Sequence, residues 1–449
     1  MTATIVRSLV ATFAVAIFAG ADWPHFRGAD NTGAAPTARL PVGWSAGKIA
    51  KASDAKGSDA KKGDAKKGDT KEGKIDAKKE SSTEGDAKPH NIAWKAPLVG
   101  RGVSSPIGVD GRVIVTASSG FRQDRLHVLC YSATTGEQLW ERQFWATGRT
   151  LCHPTSAVAA NTPTSDGKQI YALFSSNDLV CLDLDGNLRW YRGLTHDFPT
   201  AANDVGMSSS PLVIGDTVVV QIENKGDSFA AGLDTATGQT RWKQARQQEM
   251  NWVSPALLPG KTREEDLVLL QSPERFSAHR PSTGEEVWSH PAKCSSIPSA
   301  VASGGVVYVP AGGLTAMRYQ RSGTEPMESP TKSLWTSNIL SPGQASPVVY
   351  RGRVYALNGA NVLLCGDAAT GEVLWKLRLK GPFWATPVAA GEHLYFFNQE
   401  GIGQVVRLGQ EGTLVGENEL GEPILGSPAV DDDGLYVRSD AHLWKISER

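Results

Sequence analysis

The stretch LDTATGQTRW, residues 233–242, sets an acid, a Thr-Gly pair and a tryptophan at fixed offsets, and near copies of it recur along the chain. They are YSATTGEQLW (131–140), HRPSTGEEVW (279–288), GDAATGEVLW (366–375) and the one-residue-shorter LDLDGNLRW (182–190). Glycine supplies the positive φ of a tight turn, and Asp or Thr bonds the turn amides, so the motif predicts a hairpin corner. The tryptophan then falls in the following strand. An indole buries on the order of 200 Å², which makes one per repeat a plausible fastening between neighbouring units. The unit ending at Trp335 carries an insertion at the turn, and the one near Gly416 has lost its tryptophan.

A Ser/Thr-Pro step precedes each turn, with prolines at 106, 163, 211, 255, 298, 347, 387 and 428, Ile297 standing where the other seven copies have Ser or Thr. A spacing mostly in the forties, with four short strands per unit, predicts a β-propeller. Runs such as GRVIVTA, DTVVVQI, GRVYALN and DGLYVRS fill the second strand of each unit. The chain stops after a third strand, LYVRSDAHLWKISER, while NIAWKAPL near the start reads as the missing fourth, with Trp94 12 residues before Pro106. The expected fold is therefore all-β: an eight-bladed propeller of four-stranded blades, residues 89–449, closed by an N-terminal strand. Closure removes the sheet edges that invite aggregation. The 47 Gly, 25 Pro and 13 Trp against 5 Met suit short strands and tight turns.

Outside the ring, Arg7, an apolar run from Leu9 to Phe18 and the small residues Ala19-Gly20-Ala21 read as an export signal over residues 1–21. The mature chain is expected to begin near Asp22 and to work in the periplasm or another extracytoplasmic space, with no transmembrane segment. Residues 22–46, opening on DWPHFRG, form a head segment to which the sequence assigns no role. Residues 47–88 are rich in Lys, Asp, Gly and Ala, with 11 Lys against 9 Asp and Glu over 51–88. Such a tract buries too little apolar surface to order itself and reads as a disordered spacer. The formal net charge of -1 gives no field for nucleic acid. Five cysteines cannot form a complete disulfide framework. Cys130, Cys181 and Cys365 occupy one repeated strand position, expected to be a small buried packing site.

The D-x-x-T-G-x-x-x-W turn with its preceding Ser-Pro strand resembles the repeat of the PQQ-like propellers. That resemblance implies one of two functions. Quinoprotein dehydrogenases hold pyrroloquinoline quinone and Ca²⁺ at the propeller centre, and propellers similar to BamB are non-catalytic docking surfaces. The sequence lacks an adjacent Cys-Cys pair, a C-x-x-C-H haem site and a conspicuous acidic cluster, and it also lacks a lipidation cysteine after the leader. The leading reading is an exported, non-catalytic, monomeric scaffold that binds other envelope proteins. The alternatives are a quinoprotein dehydrogenase or a propeller binding a small molecule or polysaccharide. No catalytic residue, cofactor or metal is assigned. DLDGN (183–187) coincides with the repeat turn, DDDG (431–434) reads as a solvated hairpin, and Cys152-His153 has no second ligand set.

Two groups of residues are candidates for binding. The gaps from Trp140 to Pro163 and from Trp190 to Pro211 are 23 and 21 residues, against 10 to 13 elsewhere. With ASSGFRQDRL (117–126) on the adjacent blade they predict one raised sector, decorated by Arg122, Arg125, Arg149, His153, His196 and Asp197. Loops on a rigid scaffold are where binding commonly resides. Three residues before each proline stand Val103, Ala160, Ser208, Trp252, Ser295, Gln344, Trp384 and Leu425. If that side of the strand faces the axis, Trp252 and Trp384 stack a planar ligand or a partner side chain.

Overall fold

The computed structural model describes residues 22–46, 90–202, 204–319 and 331–448, so the expected export signal (1–21) and the whole 47–88 tract lie outside the described residues. Eight antiparallel sheets follow one another around an axis. The first blade shows the plan: Ile107–Val109, Arg112–Ser119, Arg125–Ser132 and Gln138–Trp145 pair in chain order. The eighth combines Ala429–Val430, Gly434–Arg438 and His442–Ser447 with Ile92–Pro97, whose Ala96 and Lys95 pair with Leu443 and Trp444. This is the expected closure by an N-terminal strand. Second and third strands are covered on both faces by neighbouring blades, so they carry near-continuous apolar runs such as Thr217–Ile222, buried throughout. Cys130, Cys181 and Cys365 are free and buried on third strands, as expected.

The repeated turn works as a fastening. Nε1 of Trp94, Trp140, Trp190, Trp242 and Trp335 donates to the carbonyl of Ala133, Leu184, Thr235, Pro281 and Ala368, each in the turn of the next blade. Each ring also covers that turn's glycine, among them Gly186 (φ 82°) under Trp140 and Gly238 (φ 69°) under Trp190. A Cβ would clash with the indole and strain the backbone, so the repeat must write Gly here. The acid that opens the turn ties it down. Arg241, then Thr237, bond Asp234 and hold its carboxyl near a pKa of about 2.

Blade five corrects the sequence register. The backbone N–H of Ser254 donates to Ser299 Oγ at 3.1 Å, and that of Ser299 to Ser346 Oγ at 3.0 Å. The repeated Ser/Thr is thus Ser299, followed by Ala300 in place of proline, while Ile297-Pro298 lies two residues early. The gap from Trp288 to Ala300 becomes 12 residues, matching the common value. The adjacent proline imitates the motif, and only the hydrogen bonds separate the two alignments.

The head crosses the face that carries the turns between first and second strands. Trp23 bridges Gly108 of blade one, and Ser165 N donates to the Pro24 carbonyl in blade two. Leu257 N donates to Asn31 Oδ1 in blade four, and Ala34–Ala35 pair in parallel with Ala389 and Ala390 of blade seven. Beyond these contacts, Trp44 packs on Phe397 and over Gly403. Blade seven is the blade whose tryptophan position is Gly416, so the head brings an indole to the seam that lacks one.

Candidate functional site

A cavity of about 500 Å³ occupies the axis. Its wall is built by the Ser/Thr-Pro steps. The N–H of each Ser or Thr donates to the hydroxyl of the next blade's, from Ser105 to Thr162, Ser210, Ser254, Ser299, Ser346, Thr386, Ser427 and back to Ser105. The distances run from 2.9 to 3.1 Å, and the ring is closed. In seven blades the following proline has no N–H to leave unpaired beside the axis; in blade five the N–H of Ala300 donates to Gln271 Oε1 at 3.0 Å, and all eight hydroxyl residues line the cavity.

Two residues before each hydroxyl, a second tier faces the cavity: Val103, Ala160, Ser208, Trp252, Ile297, Gln344, Trp384 and Leu425. Seven of these stand as expected. The eighth is Ile297 and not Ser295, for the register reason given above. Trp252 is partly buried, its Nε1 donating to the Gly206 carbonyl at 2.9 Å. Trp384 is 43% exposed and also borders a smaller recess with Gln344, Asn361 and Phe383.

The three long loops meet as one sector, and the second and third lean over the cavity. Gln123 Nε2 reaches Cys152 Sγ and its Oε1 accepts from Val158 N, linking the first loop to the second. His153 N donates to the Val205 carbonyl at 3.1 Å and Arg149 pairs with Asp204 at 3.0 Å, linking the second to the third. His153, Thr155, Ser156, Val205, Gly206 and Met207 then form one side of the cavity mouth. Of the sequence candidates, His153, Trp252 and Trp384 therefore share one site. The other five lie outside its wall. Arg122 is exposed beside Phe121, which is 100% exposed, and Arg125 stacks on the exposed Trp145 at 5.3 Å. His196 and Asp197 sit on the short helix Leu194–Asp197, with Asp197 paired to Arg192.

The floor of the cavity is the part that sequence reasoning missed. Phe26 of the head lines it. Behind Phe26, Arg27 is only 3% exposed, and its guanidinium donates to the carbonyls of Ser299 and Ala300. Burial alone lowers its pKa to about 9, with no carboxylate acting on it. His25 beside it is buried too, and desolvation, with the nearby Arg27 charge adding, lowers its pKa to about 4. The unusual DWPHFRG composition was the one available signal for this role.

A quinone with calcium does not fit these walls. Calcium takes six to eight oxygen ligands, carboxylates prominent among them. Among the described residues no Asp or Glu lines the cavity, and no three His, Cys, Asp or Glu side chains gather as metal ligands. DLDGN is a turn, Asp183 Oδ1 accepting from the amides of Asp185 and Asn187. In DDDG, Asp431 and Asp433 both pair with Lys445.

Comparison with known proteins agrees with this architecture. The solved structure of BamB from Moraxella catarrhalis is 19% identical, with a TM-score of 0.56 over 79% of this chain and 96% of that one. The quinohemoprotein alcohol dehydrogenase of Comamonas testosteroni is 13% identical, with a TM-score of 0.58 over 80% and 76%. A europium-containing methanol dehydrogenase is 14% identical, with a TM-score of 0.56 over 78% and 85%. At these identities the likeness is one of fold. No curated protein matches the sequence. The family described as outer membrane protein assembly factor BamB matches residues 82–262, 199–303 and 327–412. Those stretches span more than half of the chain, and the protein belongs to that family of PQQ-like propellers.

Proposed function

We propose that the protein is an extracytoplasmic, non-catalytic docking propeller that receives another envelope protein on its long-loop face. The observation that carries this reading is Trp384, 43% exposed at the mouth of a cavity whose opposite side is overhung by two of three interlocked loops. Large aromatic groups held in solvent on a rigid frame are the anchors from which protein interfaces draw most of their energy. Phe121, fully exposed on the same sector, extends that surface beyond the cavity. The leader-like start of the chain supports export. The test compares proteins co-purifying with the wild type, with Trp384→Ser and with Leu374→Ser, an exposed outer-strand control. A species lost only with Trp384→Ser supports the reading. Equal recovery with all three removes the mouth from the interface.

A further inference from the structure

We propose that Ser119 is an activated nucleophile, a site at which the chain takes up an acyl group from a carboxylic ester. Ser119 ends the second strand of blade one, on the long-loop sector and outside the axial cavity. Register and strand alternation put Ser119, His127 and Glu141 on one face of that sheet, running diagonally across its second, third and fourth strands. Ser119 Oγ lies 2.7 Å from His127 Nε2, and His127 Nδ1 lies 2.7 Å from Glu141 Oε1. The carboxylate accepts from Nδ1–H and so fixes the tautomer, which leaves Nε2 to accept the hydroxyl proton.

The surroundings separate this chain of bonds from ordinary polar packing. Among the described residues no other histidine joins a hydroxyl on one ring nitrogen to a carboxylate on the other. His279 meets Ser277 Oγ at 2.8 Å, but its second nitrogen faces the Gly284 carbonyl, and both residues are fully buried. His442 faces Glu422 with no hydroxyl on its other nitrogen. Ser119, in contrast, is partly exposed, while His127 behind it is 3% exposed and held in place. Gly120, at a φ of 86°, turns the chain sharply after the serine. The N–H groups of Gly120, Phe121 and Arg122 bond no group among the described residues, so donors for a developing oxyanion follow the nucleophile directly.

The step balances without an oxidant or reductant. Ser119 Oγ attacks the ester carbonyl carbon as its proton passes to His127 Nε2, and Glu141 stabilises the imidazolium. The bond from carbonyl carbon to alkoxy oxygen then breaks, the leaving oxygen takes that proton from His127 and departs as an alcohol, and Ser119 keeps the acyl group. An apolar acyl group suits the place. Phe121 is 100% exposed two residues on, and Trp145, 60% exposed, stands in the same cross-strand row as Ser119, with Arg125 between them. Release of the acyl group by water needs room beside Nε2, and the buried ring leaves little, so the adduct should persist. The step modifies the chain itself. It goes beyond docking at the mouth and does not depend on it.

The test uses the full folded chain, with an alkyl fluorophosphonate and p-nitrophenyl butyrate as probes, read by intact mass, peptide mapping and p-nitrophenolate absorbance. With the first probe the phosphorus–fluorine bond breaks and fluoride leaves. The expected result is a single equivalent of adduct mapped to Ser119, absent from urea-unfolded chain and from Ser119→Ala, with a matching burst of p-nitrophenolate. His127→Gln should slow labelling at least about 100-fold. Glu141→Gln changes a partly exposed group of the same shape, so folding should survive, and it should slow labelling at least about tenfold. Continued release after the burst would uphold the nucleophile and add turnover to it. No adduct at Ser119 in the folded wild type, or labelling there at an unchanged rate in Glu141→Gln, overturns the proposal.

Discussion

The indole of Trp190 lies across Gly238 of the following blade, and its Nε1 donates to the Thr235 carbonyl at 2.8 Å. One side chain thus closes a turn, covers a glycine and joins two sheets. Trp190→Phe should cost about 2 kcal/mol, from the lost hydrogen bond and the partly filled space. Gly238→Ala should cost at least as much, because a Cβ there falls 2.6 Å from the ring at a φ of 69°. Urea or thermal unfolding of the two variants checks both values.

Trp44 is predicted to hold the head on the ring. Its indole is buried against Phe397 and Gly403, and its backbone N–H donates to Asn418 Oδ1 at 2.9 Å. Truncation to Ala should destabilise by about 3 kcal/mol or more. Limited proteolysis should then cut within residues 22–46 while the blades survive. Loss of the whole ring at the same denaturant concentration would mean that the head is an integral part of one cooperative unit.

Acid should loosen the head through His25. Its folded pKa of about 4 lies below the free value of 6.5. The unfolded state therefore binds the proton first, so stability is complete above about 6.5 and is lost as pH falls toward 4. The full effect is on the order of 3 kcal/mol. Hydrogen exchange of residues 23–33 should quicken across that window, and less so in His25→Gln.

The thiols should be nearly inert in the native state. Burial pushes Cys130, Cys181 and Cys294 up to about 12 and Cys365 to about 11. Cys152 is raised too, yet it is partly exposed on the long-loop sector. Alkylation near pH 8 should label Cys152 first, and all five only after denaturation. Fast native labelling at Cys181 would contradict the packing role of the repeated position.

Architecture was legible because it is periodic. Trp94, Trp140, Trp190, Trp242, Trp335 and Trp375 meet the same turn in the next blade, so spacing alone counted the blades and located the closing strand. Ser299 was missed because its proline is Ala300 and a neighbouring Ile297-Pro298 step imitates the motif. The site was legible only in pieces. Loop length marked the sector and strand alternation marked Trp252 and Trp384, but the direction in which a loop folds leaves no periodic trace. The bond from Trp252 to Gly206 joins the two into one mouth. The floor was illegible for a related reason: Arg27 is anchored by two bonds to Ser299 and Ala300, hundreds of positions away, and these carry no periodic trace.

The docking face is tested most directly by photo-crosslinking in cells that express the full chain. A benzophenone amino acid is placed singly at Trp384, at Phe121 and at Lys168, the last lying in the turn between the first two strands of blade two, on the opposite face. The account predicts a discrete crosslinked protein from positions 384 and 121 and none from 168. Crosslinking from 168 alone, or equally from all three, would contradict it.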